Sequence, residues 1–373
     1  VGLLKLAAYY KKQGHKVKLV RGNVANDGFN PDKIMVTSLF TYWADYVRDT
    51  VQHYRKIYPD ATISVGGIYA SLMPDHCKEY TGCDRVFKGV HKSAEKCKPA
   101  YELVDVDYQI IHASRGCIRR CKFCGTWKIE PDFIPKKSIK KEISSNKLIF
   151  YDNNLLANPY IKDILKELEK AQYNGRAVYS ESQCGFDGRL IQKDPELARL
   201  IKKARFQNVR IAWDHSYDQH ENIEKQLKIL ENAGFNMKDL YVFMVYNWDH
   251  DFEEMEKKRI KCWEWGVQIA DCRYRPLDQT FDYYKPLKKN QTNEEYFIHE
   301  KWTDAQVKQF RRNIRRQNIC VRHGFPFYSK MLEHKVVSRE QTQRLKGESK
   351  ETVLKEVPDA WFPDVVHFPQ IYW

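Results

Sequence analysis

Residues 3–13 carry Leu3, Leu6, Ala7 and Tyr10 at helical spacing, and Gly14 stands where a helix commonly turns left-handed to end. Residues 16–20 read as a strand and 33–38 (KIMVTS) as a more buried one. Residues 42–58 return to a helical period. A third strand, 61–65, runs into Gly66-Gly67, and 86–88 make a short fourth. Short apolar strands separated by helices predict a doubly wound parallel sheet of the Rossmann-like kind. Such sheets hold ligands beyond the carboxyl ends of their strands, which here carry Ser38-Leu39 and Gly66-Gly67.

Residues 92–107 are polar and irregular, which divides the chain into a first domain at 1–95, a linker at 96–107 and a second unit at 108–280. In that unit strands are expected at 108–113, 147–151, 177–181, 208–213, 240–245 and 267–273. Helices fall between them at 159–173, 194–203, 221–233 and 251–264. Six such repeats predict a partial (β/α)6 TIM-like barrel, short of the eight that close one. Beyond 280 the alternation stops, and 281–373 form a C-terminal extension whose tail from 338 reads as irregular. Within it, residues 304–318 follow the N-cap Thr303 as a helix with Val307, Phe310 and Ile314 on one stripe. Lys308, Arg311, Arg312, Arg315 and Arg316 fill the adjacent arc. Val1 already lies in a helical pattern, so a preceding strand and loop are expected to be missing and the first domain to be truncated at its amino end.

Composition narrows the class. A 42% hydrophobic share with 18 Phe, 23 Tyr and 9 Trp supplies a core and argues against disorder. No run approaches the roughly 20 apolar residues that span a bilayer, and no export signal is visible, so the reading is a cytoplasmic protein without a membrane partner. Three of the ten cysteines fall within eight residues and seven are scattered. Without an export signal, that distribution favours a metal or cluster over disulfides. The formal charge of +14 favours anionic partners, nucleic acid among them. A lysine-rich surface kept for solubility accounts for it more simply.

The chemistry concentrates in Ser114-Arg-Gly-Cys117-Ile-Arg-Arg-Cys121-Lys-Phe-Cys124-Gly-Thr-Trp127, the loop after the first strand of the second unit. Three thiolates at these spacings can converge on one centre, and thiolates suit iron–sulfur clusters, zinc or copper(I). A 4Fe–4S cluster usually takes four cysteines. Three leave one iron open, as a metal that binds substrate requires. Arg115, Arg119, Arg120 and Lys122 are expected to offset the thiolate charge. The alternative is zinc, with a fourth ligand from Cys184, Cys272 or a histidine, although no second short Cys pair of the zinc-ribbon kind is present.

At these residues the chain resembles the radical S-adenosylmethionine (SAM) superfamily, through Cys-x3-Cys-x2-Cys with the aromatic Phe123 before the last cysteine. The resemblance covers about residues 108–280. It implies that Cys117, Cys121 and Cys124 hold a 4Fe–4S cluster whose open iron chelates SAM. One electron then cleaves SAM to a 5′-deoxyadenosyl radical that abstracts hydrogen from substrate. Phe123 is carried over as a cofactor-binding aromatic, and Asp152 and Asn153, in a Tyr-Asp-Asn-Asn run that departs from the family's Gly-Gly-Glu, fall near the SAM amino end. Ser180 and Glu181 fall where ribose or carboxylate contacts belong. Arg210 either joins them or pairs with a carboxylate, Trp213-Asp214-His215 face the same side, and Arg273 or Arg275 either meets a substrate anion or forms an ion pair. A one-electron reductant of flavodoxin or ferredoxin type and a small-molecule or peptide substrate follow from the same resemblance.

The first domain then resembles the family's frequent cobalamin (B12)-binding partner domain, with Ser38, Leu39, Gly66 and Gly67 in its ligand segments. The Asp-x-His-x-x-Gly segment that supplies an axial histidine would precede the first helix. Several relatives keep the domain without cobalamin, so methyl transfer through cobalamin and cofactor-free radical chemistry both stay open. Two other readings remain: an RNA-modifying radical SAM enzyme that uses the basic helix as a clamp, and a zinc- or cluster-stabilised binding module without catalysis.

Overall fold

In the computed structural model, which describes residues 1–334 and 338–366, the first helix α1 (Gly2–Lys12) ends on Gln13, with Gly14 at positive φ. The strand expected at 16–20 does not form. Lys16, Lys18 and Val20 are exposed there, and the edge strand β1 (Lys33–Ser38) takes its neighbour from the other side. A strand gains its ladder only from a partner. A turn at Thr41–Trp43 leads into α2 (Ala44–Ile57), followed by β2 (Thr62–Gly67) and the short β3 (Arg85–Val86). The three strands are parallel in the order β1-β2-β3, in a register that sets Thr37 beside Gly66 and Ser38 beside Gly67. Val47, Val51 and Tyr54 of α2 pack on Ile63 and Val65 of β2 with the buried Cys77 and Cys83.

The second alternation yields six longer parallel strands in chain order. They are β4 (Gln109–Ile111), β5 (Lys147–Phe150), β6 (Tyr179–Ser182), β7 (Arg210–Ala212), β8 (Tyr241–Tyr246) and β9 (Gln268–Arg273). β4, β5 and β6 form one parallel sheet, with Phe206–Gln207 added beyond β6, and β7, β8 and β9 form another. A parallel bridge between Phe186 and Ile211 joins the two, with the Phe186 amide donating to the Arg210 carbonyl at 2.7 Å. β6 starts two residues later than expected, because Arg176–Ala177 instead closes an antiparallel hairpin with Gln172–Tyr173. Asn174 and Gly175 supply its two positive φ angles.

Helices α3 (Ile161–Lys170), α4 (Glu196–Lys203), α5 (His220–Asn232) and α6 (Phe252–Glu264) alternate with these strands. Alternate residues of β5 and β8, Leu148 and Phe150 with Val242 and Met244, enter one core with Ile164, Leu168, Ile201 and Leu227 of the helices. The fold is therefore α/β, with parallel sheets in both parts.

The basic helix is longer than expected: α7 (Asp304–His323) starts with a full Thr303/Gln306 capping box and stops at the left-handed Gly324. Val307, Phe310 and Ile314 join the main core. Most of its cations are already engaged. Lys308 is buried against Asp304 at 2.6 Å, Arg315 pairs with Glu333 at 3.0 Å, and Arg316 covers the Tyr328 ring. The expectation of an irregular tail is corrected. Ser338 and Ser349 cap short helices at Arg339–Arg344 and Lys350–Glu356, and Leu345, Val353, Val357 and Trp361 build a separate core with Cys320 and Phe327. These serines were visible as caps, but the sparse apolar spacing between them hid the helices. Residues 367–373 of that expected tail lie outside the described part.

Candidate functional site

β4 delivers the chain into the cysteine loop, and three carboxylates from elsewhere hold that loop in shape. Asp152, just past β5, is fully buried. It accepts from the Ala113 amide at 3.0 Å, the Ser114 amide at 2.5 Å and the Ser114 hydroxyl at 2.6 Å. Burial pushes its carboxyl up to about 6 against the pull of those donors. Next, Ser114–Arg115 pairs antiparallel with Ile134–Pro135. Glu130 accepts from Arg115 at 2.6 Å and from the Gly116 amide at 2.9 Å. Gly116 sits at φ +73°, where any Cβ would stand 2.1 Å from the Asp132 carbonyl, so this turn admits only glycine. Finally, Asp187 accepts from Arg119 at 3.0 Å, from Asn154 at 3.3 Å and from Arg189 at 2.7 Å. Burial works to raise the Asp187 carboxyl, but Arg189 and Arg119 outweigh it and hold it below the usual carboxylate range.

Cys117, Cys121 and Cys124 are half-buried on this loop, each without a disulfide. The Cys117 sulfur accepts from the Arg119 amide at 3.3 Å, the Cys124 amide donates to the Cys121 carbonyl at 3.1 Å, and the Cys124 thiol meets the Thr126 hydroxyl at 3.3 Å. Burial pushes the Cys117 and Cys121 thiols up, and the neighbouring cysteines add to the effect. Among the described residues no three His, Cys, Asp or Glu side chains close into a metal-binding group. The donor set nonetheless suits a thiophilic centre: three sulfurs from one loop lie in one another's electrostatic field.

The expectation that Arg115 and Arg119 offset thiolate charge changes, because Glu130 and Asp187 take them up. Arg120 and Lys122 are exposed. The cation that bears on Cys121 is Arg189, which spacing along the sequence did not reveal.

Of the other residues singled out by sequence, Phe123 is half-buried on the loop and Asn153 accepts from Thr126 at 3.2 Å. Ser180 is buried, and its hydroxyl makes no hydrogen bond among the described residues; the same holds for the side-chain amide oxygen of Asn154 beside Cys117. Glu181 and Arg210 meet each other at 2.6 Å, and Arg210 also donates to the Ser182 carbonyl at 2.9 Å. Arg273 and Arg275 both pair with Asp282 at 2.6 Å. Asp214, past β7, faces Cys121, and burial pushes its carboxyl up to about 6 against Lys258 and Arg189. It makes no hydrogen bond or ion pair among the described residues. Cys184 also borders the site. It is exposed to solvent, and the protein around it pushes its thiol up to about 11.

The carboxyl end of the first sheet abuts this loop. Ser38 is buried, its hydroxyl donating to the Phe40 carbonyl at 2.9 Å. Gly67 lies at φ +91°, and a Cβ there would stand 2.5 Å from the Ser38 carbonyl oxygen, so β1 and β2 close on each other only through glycine. Ser71 bridges the Gly67 carbonyl at 2.7 Å and the Gly89 amide at 2.9 Å. The helix Ile68–Leu72 packs on Thr126–Ile129, just past the third cysteine. Leu72 and Leu277 crowd the Cα side of Gly125 closely enough to touch any Cβ placed there. Leu39, Phe40, Ile68 and Phe87, one or two at each strand end, remain exposed.

Two parallel α/β units thus meet at the carboxyl end of one sheet, with a thiol-bearing loop between them. Residues 1–96 match the family model of the B12 binding domain. No curated protein matches the chain. No helix among the described residues is long and apolar enough to cross a membrane.

Proposed function

We propose that the chain is a cobalamin-associated radical SAM enzyme. Its second unit is read as a partial (β/α)6 barrel from six parallel strands in chain order, linked between β6 and β7 by the Phe186–Ile211 bridge. Cys117, Cys121 and Cys124 would hold a 4Fe–4S cluster, with SAM beside it near Phe123, Asn153, Ser180 and the Glu181–Arg210 pair. The unpartnered Ser180 hydroxyl and Asn154 side-chain amide oxygen supply polar atoms that still lack a partner among the described residues. Cobalamin would lie over Ser38, Leu39, Gly66 and Gly67, where the exposed apolar strand ends suit a broad macrocycle. When bound, the cluster supplies the electron that cleaves SAM, and cobalamin supplies a methyl carrier.

The protein's own residues do the positioning. Asp152, Glu130 and Asp187 fix the loop, Gly67 lets the first sheet close, and Leu72 seats the B12-binding domain against Gly125. The observation that carries the reading is this apposition of a three-thiol loop with the ligand end of a B12-binding domain.

Anaerobic reconstitution with iron and sulfide, followed by iron analysis and assay of SAM cleavage, tests it. Cys117→Ala, Cys121→Ala and Cys124→Ala should each abolish both, while Cys77→Ala, Cys83→Ala and Cys97→Ala keep them. Cys184→Ala separates the zinc alternative: a three-thiol cluster survives it, whereas a four-ligand zinc site that uses Cys184 does not. Zinc uptake without SAM cleavage would overturn the proposal.

A further inference from the structure

Residues 283–295 form a loop that is firmly held at its root. The Tyr283 amide donates to the Glu295 carbonyl at 2.7 Å. The buried Gln291 accepts from the Lys285 amide at 2.8 Å and donates to the Tyr283 carbonyl at 3.0 Å. Lys308 of α7, itself buried, donates to the Lys288 carbonyl, and Lys288 pairs with Glu295 at 2.7 Å. The tip that this scaffold presents is Lys285-Pro286-Leu287-Lys288-Lys289. Leu287 is 88% exposed, more than any other large apolar side chain among the described residues. Scattered exposed apolar residues need no explanation, but this leucine stands at the tip of a fixed loop, among three lysines with no acid between them. The loop also continues an aromatic stripe on the first domain. The Tyr283 hydroxyl donates to Asp45 at 2.9 Å, and Tyr46 is close enough to act on that hydroxyl. Tyr46 is 71% exposed and lies one helical turn from Trp43, whose ring meets Phe40 edge-on at 4.9 Å. Phe40, Trp43 and Tyr283 are exposed as well. Asp45, the carboxylate in this stretch, is taken up by Tyr80, Arg48 and Tyr283.

We infer that Leu287, the lysines beside it and the stripe of Trp43, Tyr46 and Tyr283 form a surface that binds an anionic lipid bilayer. Each part has a place there. The leucine enters the acyl boundary, Trp and Tyr rings settle at headgroup level, and lysine stems lie along apolar surface while their heads reach lipid phosphates and carboxylates. RNA would use the lysines but would leave Leu287 and the rings without a role, so the bilayer accounts for more of the surface. The formal charge of +14 draws the whole chain towards an anionic sheet. The expectation of no membrane partner rested on the absence of a spanning run, and a protein that lies on the bilayer needs none. The inference does not depend on the cluster reading, because none of these residues belongs to the cysteine loop.

Cosedimentation of the full chain with lipid vesicles tests it and needs neither iron nor SAM. Vesicles of equal parts phosphatidylcholine and phosphatidylserine should carry the protein down at low salt. Vesicles of phosphatidylcholine alone should carry far less, and added salt should release what is bound. Leu287→Asp, Tyr46→Asp and Lys285→Glu should each weaken binding to the anionic vesicles at least about fivefold. Leu354→Asp, at an exposed leucine of the helix Lys350–Glu356, should bind as the unaltered protein does. Circular dichroism should show the same fold in every variant. No sedimentation with anionic vesicles at low salt would overturn the inference. Sedimentation that ignores all three substitutions would overturn it too, since another face would then be binding. So would retention of RNA that Lys285→Glu abolishes, in a protein that leaves vesicles alone. Should Leu287→Asp fail to fold, Lys285→Glu, Tyr46→Asp and the salt profile still decide.

Discussion

Asp152 shows how a residue legible as polar and well placed takes on a structural job in three dimensions. The resemblance puts it near the SAM amino end, in a polar run at a strand end. The fold buries it and turns its carboxylate onto Ala113 and Ser114, 39 and 38 residues earlier, where the cysteine loop begins. Asp152→Asn keeps the shape but replaces the oxygen that lies 3.1 Å from the Ala113 amide with a donor. Two donors then face each other in a buried space, at a cost of about 1–3 kcal/mol. The denaturation midpoint should fall accordingly and reconstituted iron should leave the variant faster under chelator. An unchanged midpoint and iron off-rate would show that the clamp does not matter. The three cysteines were readable because their ligand atoms come from one short stretch. Glu130, Asp187 and Arg189 were not, since each reaches the loop from 14 to more than 60 residues away and no local pattern marks them.

At the scale of elements, period decided what could be read. Strands β5, β8 and β9 and helices α3, α5 and α6 fall where the apolar spacing put them, because burial on one face imposes that spacing. The strand expected at 16–20 failed for lack of a neighbour, which spacing within a segment cannot report. Likewise, the arginines of α7 looked uncommitted along the sequence, yet the fold sets Glu333, Tyr328 and Gln268 beside them. Helix α6 carries the clearest electrostatic consequence. Its Lys258 is buried, donates to the His215 carbonyl and lies over the Trp213 ring. Burial lowers its pKa from the lysine value of 10.5 to about 8, against the opposing pull of Glu254 and Asp214. Between those two values the unfolded chain binds the proton and the folded one does not, so this group's contribution to stability rises with pH across that window and is flat below it. Lys258→Met should therefore stabilise the fold most below pH 8, by an amount on the order of 3 kcal/mol, with the gain shrinking as pH approaches 10.5. Denaturant titrations of both proteins over that range check it, and a gain that stays constant with pH would sink the assignment.

For the molecule as a whole, the feature beyond sequence is how the two parts meet. Doubly wound and repeated β/α patterns announced two α/β units, but nothing in either pattern says which surfaces face each other. The fold answers with a set of small contacts. Leu72 and Leu277 flank Gly125, Arg275 covers the Tyr42 ring at 4.7 Å, and the Tyr283 hydroxyl donates to Asp45 at 2.9 Å. Gly125 is what permits the approach, since a side chain there would push Leu72 and Leu277 apart. Leu72→Asp should break this seat without touching the loop's own clamps, because Asp152, Glu130 and Asp187 all lie in the second unit. A carboxylate set into that apolar contact has no partner and must regain solvent by separating the surfaces. Hydrogen exchange across residues 126–129 should then speed up at least about tenfold, which corresponds to about 1.4 kcal/mol of lost local stability. Iron per chain should not change, since no ligand or loop clamp is altered. Unchanged exchange would mean that the B12-binding domain is held by the Tyr42 and Asp45 contacts instead, and loss of iron would mean that the cysteine loop depends on the first domain for its shape.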